Sequence, residues 1–201
     1  RSWRGTSASK SINQPDKNII LFDREACPEC RFVREAFTEL NLNAMILPCP
    51  EGGQSIKKLK EESGSTELPR IFDPNSDQNI VGRDNIIEYL FKEYRGSAVP
   101  PMLQNKLINN VASKVASVIR FKAGGHYKPA KSAKHPLTLY SFESSPFSRL
   151  VREKLCELEL PYLLINLGKQ QLSDMGPANF RFSLKPYHPI KNTKRVSKKI
   201  F

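Results

Sequence analysis

The chain lacks any apolar stretch approaching the roughly 18 residues that a membrane-spanning helix needs, and it has only four cysteines among 201 residues. The first absence leads us to expect a soluble or peripheral protein. The second excludes the dense disulfide framework of a small secreted domain and favours a reducing compartment. The length is sufficient for one ordinary domain or two small ones.

Signatures of nucleic-acid and metal binding are also missing. The net charge of +12 is not accompanied by the aromatic and basic motifs of an RNA-binding sheet, so we expect no nucleic-acid partner. One C-x-x-C pair stands at Cys27 and Cys30, without the second pair that a typical zinc site requires, and the three histidines fall in expected loops. We expect no metal, and a zinc site is kept as an alternative.

Charge is distributed unevenly along the chain. Residues 17–94 hold 10 Lys and Arg against 14 Asp and Glu, whereas residues 95–201 hold 19 against 5. We therefore expect the basic second half to dock on a protein partner, with peripheral membrane contact as an alternative. Residues 1–16 are basic and begin with a Ser-rich run, which predicts a disordered segment or the remnant of an organelle transit peptide.

Hydrophobic patterning predicts the order β-α-β-α-β-β-α for residues 17–95. Short apolar runs at 18–22 and 44–47 are typical of buried parallel strands, and the apolar residues between them fall on one helix face. A lysine-rich helix over 54–63 ends at Gly64, a hairpin spans 68–81, and a last helix runs from about Asp84 to Tyr94.

The Cys-Pro-Glu-Cys motif lies at the start of the first predicted helix. Free N–H groups and the helix dipole stabilise a thiolate there, so Cys27 is the predicted catalytic nucleophile. Cys30 lies one turn later and is predicted to resolve the mixed disulfide that Cys27 forms. Cys49 is expected to be a small buried residue, and a third redox thiol is the alternative.

The element order, the C-x-x-C position and Leu68-Pro69 before the third strand together resemble the thioredoxin-fold module of glutaredoxins and glutathione transferases. The resemblance implies a thioredoxin-like α/β fold, and glutathione or a cysteinyl protein as the substrate. It also implies a cis Pro69 that presents the backbone of Leu68 to the ligand. An iron–sulfur cluster, shared with glutathione by Cys27 from two chains, is an alternative.

The same resemblance implies a glutathione-binding contribution from Gly82, Arg83 and Asp84. Glutathione transferases usually carry Glu-Ser after the hairpin, and this chain carries Gly82-Arg83 instead. Glutaredoxins carry a Gly-Gly-Cys-Asp pattern, of which the glycine and the aspartate are present. We expect Asp84 to hold the amine of glutathione, with a plain helix N-cap as the alternative.

A second segment repeats the first at a distance of 118 residues. Residues 21–35 return as 139–153, and the motif becomes Ser145-Pro146-Phe147-Ser148, whose hydroxyls cannot form a disulfide. The repeat resembles tandem glutathione-transferase N-terminal-domain proteins of plastids and some bacteria, in which the Pro-Cys-Pro-x-Gly-Gly turn of residues 48–53 recurs. It implies a plastid location or another reducing compartment.

The second copy is predicted to be incomplete. Residues 137–167 form a β-α-β half, which we expect to pack on the first module or on a partner chain because open strand edges are normally covered. Residues 168–201 are predicted to be a basic irregular tail, in which Lys185-Pro186-Tyr187 is a loop rather than a second proline corner. The linker 96–136 contains a predicted amphipathic helix, docked on its own modules or on a partner or membrane.

Two functions are consistent with these patterns. The first is a glutathione-linked thiol–disulfide oxidoreductase, with transferase activity not expected because no helical C-terminal domain is encoded. The alternative is a non-catalytic structural or assembly subunit of a larger complex, built on a redox fold whose second copy has lost its thiols.

Overall fold

A computed structural model of the chain describes residues 14–104, 123–131, 137–167 and 185–186. Its strands are Ile19–Asp23 (β1), Ala44–Pro48 (β2), Arg70–Asp73 (β3), Gln78–Val81 (β4), Leu137–Ser141 (β5), Tyr162–Asn166 (β6) and Lys185–Pro186 (β7). Its helices are Pro28–Glu39 (α1), Gln54–Ser63 (α2), Arg83–Arg95 (α3), Pro101–Gln104 (α4) and Pro146–Glu157 (α5). The apolar stripe of the predicted linker helix runs from Leu103 to Ile119, and residues 105–122 lie outside the described residues.

Residues 19–95 adopt the predicted β-α-β-α-β-β-α order, and the thioredoxin-like α/β fold is confirmed. Strand β1 pairs in parallel with β2 and antiparallel with β3, and β3 forms the predicted hairpin with β4. The expected strand from residue 68 begins two residues later, at Arg70, because Pro69 has no N–H to donate to a ladder.

The helix ends follow from local chemistry. Pro28 occupies the first turn of α1, where a missing N–H costs nothing. Gly64 ends α2 as predicted, in the left-handed conformation at φ 70°, which a residue without Cβ adopts without strain. Within the described ranges, no helix is both long enough and apolar enough to cross a membrane.

The hydrophobic core lies on one face of the sheet. Helices α1 and α3 cover the first half of that face, with Phe37 and Phe91 among their fully buried side chains. Helix α5 covers the second half through Leu155, which belongs to the same buried cluster. The core is therefore continuous from α3 to α5.

The predicted β-α-β half is built from β5, α5 and β6, with β5 and β6 parallel. Strand β6 pairs antiparallel with β2 over Ala44 to Ile46, so one seven-stranded sheet runs in the order β4-β3-β1-β2-β6-β5-β7. The expected packing on the first module therefore occurs through the β2 edge, and the residues predicted as two modules share one sheet. Because β5 runs opposite to β1, α1 and α5 begin at opposite ends of that sheet.

Strand β7 differs from the prediction of an irregular tail. Lys185 and Pro186 pair antiparallel with Thr138 and Leu137 on the outer edge of β5, so the loop interpretation of this proline was wrong. The pairing lies at the start of β5, whereas Arg70, the residue after Pro69, pairs with Phe22 near the end of β1. Pro186 is therefore a strand residue and not a second proline corner.

Candidate active site

The Cys-Pro-Glu-Cys motif forms the N-terminus of α1. Cys27 is the N-cap residue, half-buried, and its Sγ accepts a hydrogen bond from the backbone N–H of Cys30 at 3.4 Å. Cys30 is fully buried on the next turn. The structure thus places the predicted nucleophile at the accessible position and the predicted resolving thiol beneath it.

The two thiols of the motif titrate in opposite directions. A hydrogen bond from the Cys30 side chain, together with backbone N–H groups of Cys30 and Glu29, lowers the pKa of Cys27 to about 7. Burial, and the hydrogen bond that it gives to Cys27, raise the pKa of Cys30 well above its ordinary value. Near neutral pH a substantial fraction of Cys27 is therefore thiolate, while Cys30 keeps its proton.

Gly82, which follows β4, lies next to Pro69, which precedes β3. The Leu68-Pro69 peptide bond is cis, in agreement with the expectation from the resemblance. The backbone N–H of Gly82 donates to the carbonyl of Pro69 at 3.0 Å, and Gly82, at φ 88°, is the N-cap residue of α3. Two of the predicted glutathione-binding segments are thus adjacent.

Arg83 links this segment to the cysteine motif. Its guanidinium forms ion pairs with Glu29 at 3.0 Å and with Asp84 at 2.8 Å, and it lies over the ring of Phe32. Arg83 is buried, whereas the carboxylate of Asp84 is half exposed. The alternative of Asp84 as a plain N-cap is wrong, because the cap is Gly82 and Asp84 lies within the first turn.

The other two cysteines are buried away from solvent. Burial raises the pKa of Cys49 to about 12, and its N–H donates to the carbonyl of Asp23. Burial also raises the pKa of Cys156. Both thiols stay protonated at neutral pH, which favours the interpretation of Cys49 as a small buried residue.

The Ser-x-x-Ser motif repeats the local geometry without the sulfur. Ser145 is the N-cap residue of α5 and accepts from the N–H of Ser148 at 3.2 Å, as Cys27 does from Cys30. Both serines are buried, and this helix terminus lies at the other end of the sheet. The motif therefore contributes nothing to the site at Cys27.

A buried charge cluster joins the two halves of the sheet, and our sequence interpretation missed it. Arg34 on α1 forms ion pairs with Asp23, with Glu25 and, from the second half, with Glu143 at 2.6, 3.0 and 3.0 Å. Arg152 on α5 pairs with Glu25 and Glu143 in turn. Arg34 and Arg152 occupy equivalent positions of the 118-residue repeat, and so do Glu25 and Glu143. This repetition of charged residues is the sequence signal from which the cluster could have been predicted.

The cluster reaches the loop that leads into the cysteine motif through Glu25, two residues before Cys27. Burial raises the pKa of Glu25, against the opposing effect of Arg152 and Arg34. Burial would raise the pKa of Glu143 too, but the same two arginines outweigh it and lower that pKa. The two carboxylates occupy corresponding positions yet differ in how readily they take up a proton.

The two arginines that flank the cysteine motif in the sequence, Arg24 and Arg31, both form ion pairs. Arg24 pairs with Glu51 and Arg31 with Glu35, so neither presents a free charge to the thiol. Over the part of the chain that the structure describes, no three His, Cys, Asp or Glu side chains are grouped as metal ligands.

The fold and the cysteine site together define a thioredoxin-fold domain with a Cys-x-x-Cys motif at a helix N-terminus. Residues 21–98 match the sequence model of the glutathione S-transferase N-terminal domain family. This part of the chain is therefore a thioredoxin-fold domain that is similar to the N-terminal domain of glutathione S-transferases. No curated protein and no solved structure gives a significant match to the chain.

Proposed function

We propose that the protein is a glutathione-linked thiol–disulfide oxidoreductase whose nucleophile is Cys27. The observation that carries this proposal is the position of Cys27 at the N-terminus of α1, where its pKa is lowered to about 7. A thiolate with a pKa near the ambient pH combines good nucleophilicity with a useful ionised fraction.

The proposed reaction starts from a mixed disulfide between glutathione and a cysteinyl protein. The Cys27 thiolate attacks the glutathione sulfur, the S–S bond breaks, and the protein thiolate leaves and takes up a proton. Glutathione, as its thiolate, then attacks the Cys27–glutathione disulfide. Oxidised glutathione is released and the Cys27 thiolate returns.

Cys30 has two proposed roles. In the reduced protein it donates a hydrogen bond that stabilises the thiolate of Cys27. On a protein disulfide substrate it loses its proton and attacks the mixed disulfide at Cys27, which gives a Cys27–Cys30 disulfide and frees the second substrate thiol. Because the pKa of Cys30 is raised, this step should become faster as the pH rises.

The ligand is proposed to bind between the cysteine motif, Leu68-Pro69 and the start of α3. The backbone of Leu68 pairs with the cysteinyl moiety as an antiparallel strand would. The half-exposed carboxylate of Asp84 receives the amine of glutathione, while Arg83 orders Asp84 and Glu29.

The test is reduction of a glutathionylated peptide by glutathione in the presence of the purified full chain. We expect turnover by wild type, none by Cys27→Ser, and retained turnover by Cys30→Ser, because the reaction with glutathione needs one thiol. Cys49→Ser is the matched control and keeps wild-type turnover. If neither wild type nor Cys27→Ser reduced the peptide, the oxidoreductase proposal would be wrong.

A second candidate is a non-catalytic assembly subunit, and the observation that favours it is on α5. Phe147 and Leu150 are 66% and 50% exposed, one turn apart, and are the large exposed hydrophobic side chains of the described residues. Such a pair is typical of a protein contact. If the peptide assay shows no turnover and the chain sediments only as part of a larger assembly, this candidate replaces the first.

A further inference from the structure

Arg70 is buried beside the proposed ligand site. It directly follows the cis Pro69, opens β3, and pairs in the sheet with Phe22 on one side and Val81 on the other. Only 7% of the residue is exposed. Val81 in turn precedes Gly82, so the Arg70–Val81 pair lies directly next to the hydrogen bond from Gly82 to Pro69.

Unlike the other buried arginines, Arg70 has no carboxylate partner. Arg34, Arg83 and Arg152 each form ion pairs. The Nε of Arg70 is buried without a hydrogen-bond partner, and no ion pair joins its guanidinium to the residues that the structure describes. A buried cation without a partner is strongly unfavourable, so a residue of this kind in a binding region indicates an anionic ligand group.

The sheet also fixes the face on which Arg70 lies. Ile71 belongs to the core under α1 and α3, and Asp73 accepts hydrogen bonds from Tyr89 and Tyr94 of α3. Side chains alternate along a strand, so Arg70 lies on the opposite face from α3. It therefore flanks the Leu68-Pro69 backbone on the side away from Asp84.

We propose that Arg70 binds the glycine carboxylate of glutathione. This inference rests on the proposed function. Glutathione has an amine and a carboxylate at one end and the glycine carboxylate at the other. If the amine of glutathione binds to Asp84, then Arg70, on the other side of the Leu68-Pro69 backbone, is positioned to bind the glycine carboxylate at the opposite end of the ligand. Arg70 would then make charge-assisted hydrogen bonds, the strongest kind available to a guanidinium.

The test measures binding by calorimetry on the full chain, with S-methylglutathione and its glycine ethyl ester as probes. Neither probe has a thiol, so binding is measured whether or not the protein turns over. We expect wild type to bind the acid about tenfold to a hundredfold more tightly than the ester, the loss typical of a charge-assisted hydrogen bond. Arg70→Gln should bind both probes with the weak affinity of the ester, and Arg70→Lys should recover part of the difference.

Arg70→Met is the control for folding. Because Arg70 has no partner to lose, the size-matched apolar side chain should leave the midpoint of thermal unfolding unchanged or raise it. Equal affinity of wild type for acid and ester would overturn the proposal, whatever the variants do. If Arg70→Gln kept the wild-type ratio of affinities for the acid and the ester, the proposal would be overturned too. That result would not count against the proposed oxidoreductase function of Cys27.

Discussion

The lowered pKa of Cys27 depends on one neighbouring side chain more than on any nearby positive charge. The largest effect on its pKa is the hydrogen bond from the Cys30 thiol, and the nearby arginines are paired with carboxylates. A thiolate stabilised by hydrogen bonds is less sensitive to salt than one stabilised by exposed charges. Cys30 therefore lowers the pKa of Cys27, in addition to the resolving role that we propose for it.

Alkylation of Cys27 by iodoacetamide tests this arrangement. In wild type the rate should rise with pH through a midpoint near 7, because the thiolate is the reacting form. Cys30→Ala removes the donor and should move the midpoint upward, and Cys30→Ser, which keeps a hydroxyl donor, should move it less. Cys49→Ser should not move it. A midpoint unchanged in Cys30→Ala would show that the hydrogen bond is not the cause.

At this scale the sequence was sufficient to predict that Cys27 lies at the helix N-terminus with Cys30 buried beneath it, but not the partners of the arginines. Cys27 and Cys30 follow from the spacing and from the helix that starts there. The burial of Arg34 does not, because a charged residue in a helical pattern is ordinarily assigned to the solvent face. Its ion pairs with Asp23, Glu25 and Glu143 explain its position, and Glu143 is 109 residues away.

At the scale of elements, α2 depends on a residue from the second half of the chain. Its N-cap is Gly53, which has no side chain to offer, and Glu159 accepts the free N–H of Ser55 at 2.6 Å instead. Glu159 follows α5, so the start of one helix is stabilised by the loop after another.

The cap gives a double-mutant prediction. Glu159→Ala should lower the free energy of unfolding by about 1 kcal/mol, the usual value of an N-cap. Gly53→Ala should cost a similar amount, because the added Cβ would overlap the Glu159 carboxylate and displace it. In the Glu159→Ala background Gly53→Ala should cost less, because only the contact of the added Cβ with Pro50, at 3.1 Å, then remains. Additive losses in urea unfolding would contradict this coupling.

The buried charge cluster makes α1 and α5 interdependent. Arg34→Met leaves the carboxylates of Asp23, Glu25 and Glu143 with one guanidinium fewer, and should lower the free energy of unfolding by about 3 to 5 kcal/mol. Arg31→Met is the control on the same helix. Its partly exposed pair with Glu35 should be worth at most about 0.5 kcal/mol. If urea unfolding showed the same loss of unfolding free energy for both variants, the cluster would not be what couples α1 to α5.

At the scale of the whole molecule, the second half extends the sheet of the first. Strand β6 covers the β2 edge, Leu155 joins the common core, and Glu143 completes the ion pairs of Arg34. A chain built this way should unfold as one unit, since each half buries surface and charge that the other leaves open.

Truncation tests this unity. A fragment of residues 1–104 contains the whole matched domain and Cys27. It lacks β6, which pairs with the edge of β2, and Glu143, one of the ion-pair partners of Arg34. We expect this fragment to aggregate or to lose fixed tertiary structure, while the full chain unfolds in one urea transition seen equally by circular dichroism and by Cys27 alkylation. A fragment as stable as the full chain would show that the halves are independent.

Much of this architecture could be predicted from the sequence, and there is a physical reason why the rest could not. The strands and helices of residues 19–95 were predicted to within about two residues, since their apolar periods and terminal Pro and Gly residues are local signals. The antiparallel pairing of β2 with β6 was not, because strand edges carry no local signature of their partner. The unpartnered Arg70 is equally invisible in the sequence, where it is one of 32 Lys and Arg residues.

The most direct measurement for the central claim is trapping of the proposed intermediate. Cys30→Ser protein, treated with oxidised glutathione and analysed by mass spectrometry of intact protein and of peptides, should carry a single glutathione on Cys27. Reduced glutathione should remove it at a rate that does not depend on Cys49 or Cys156. Absence of the adduct at Cys27, or equal labelling of the buried cysteines, would contradict the account.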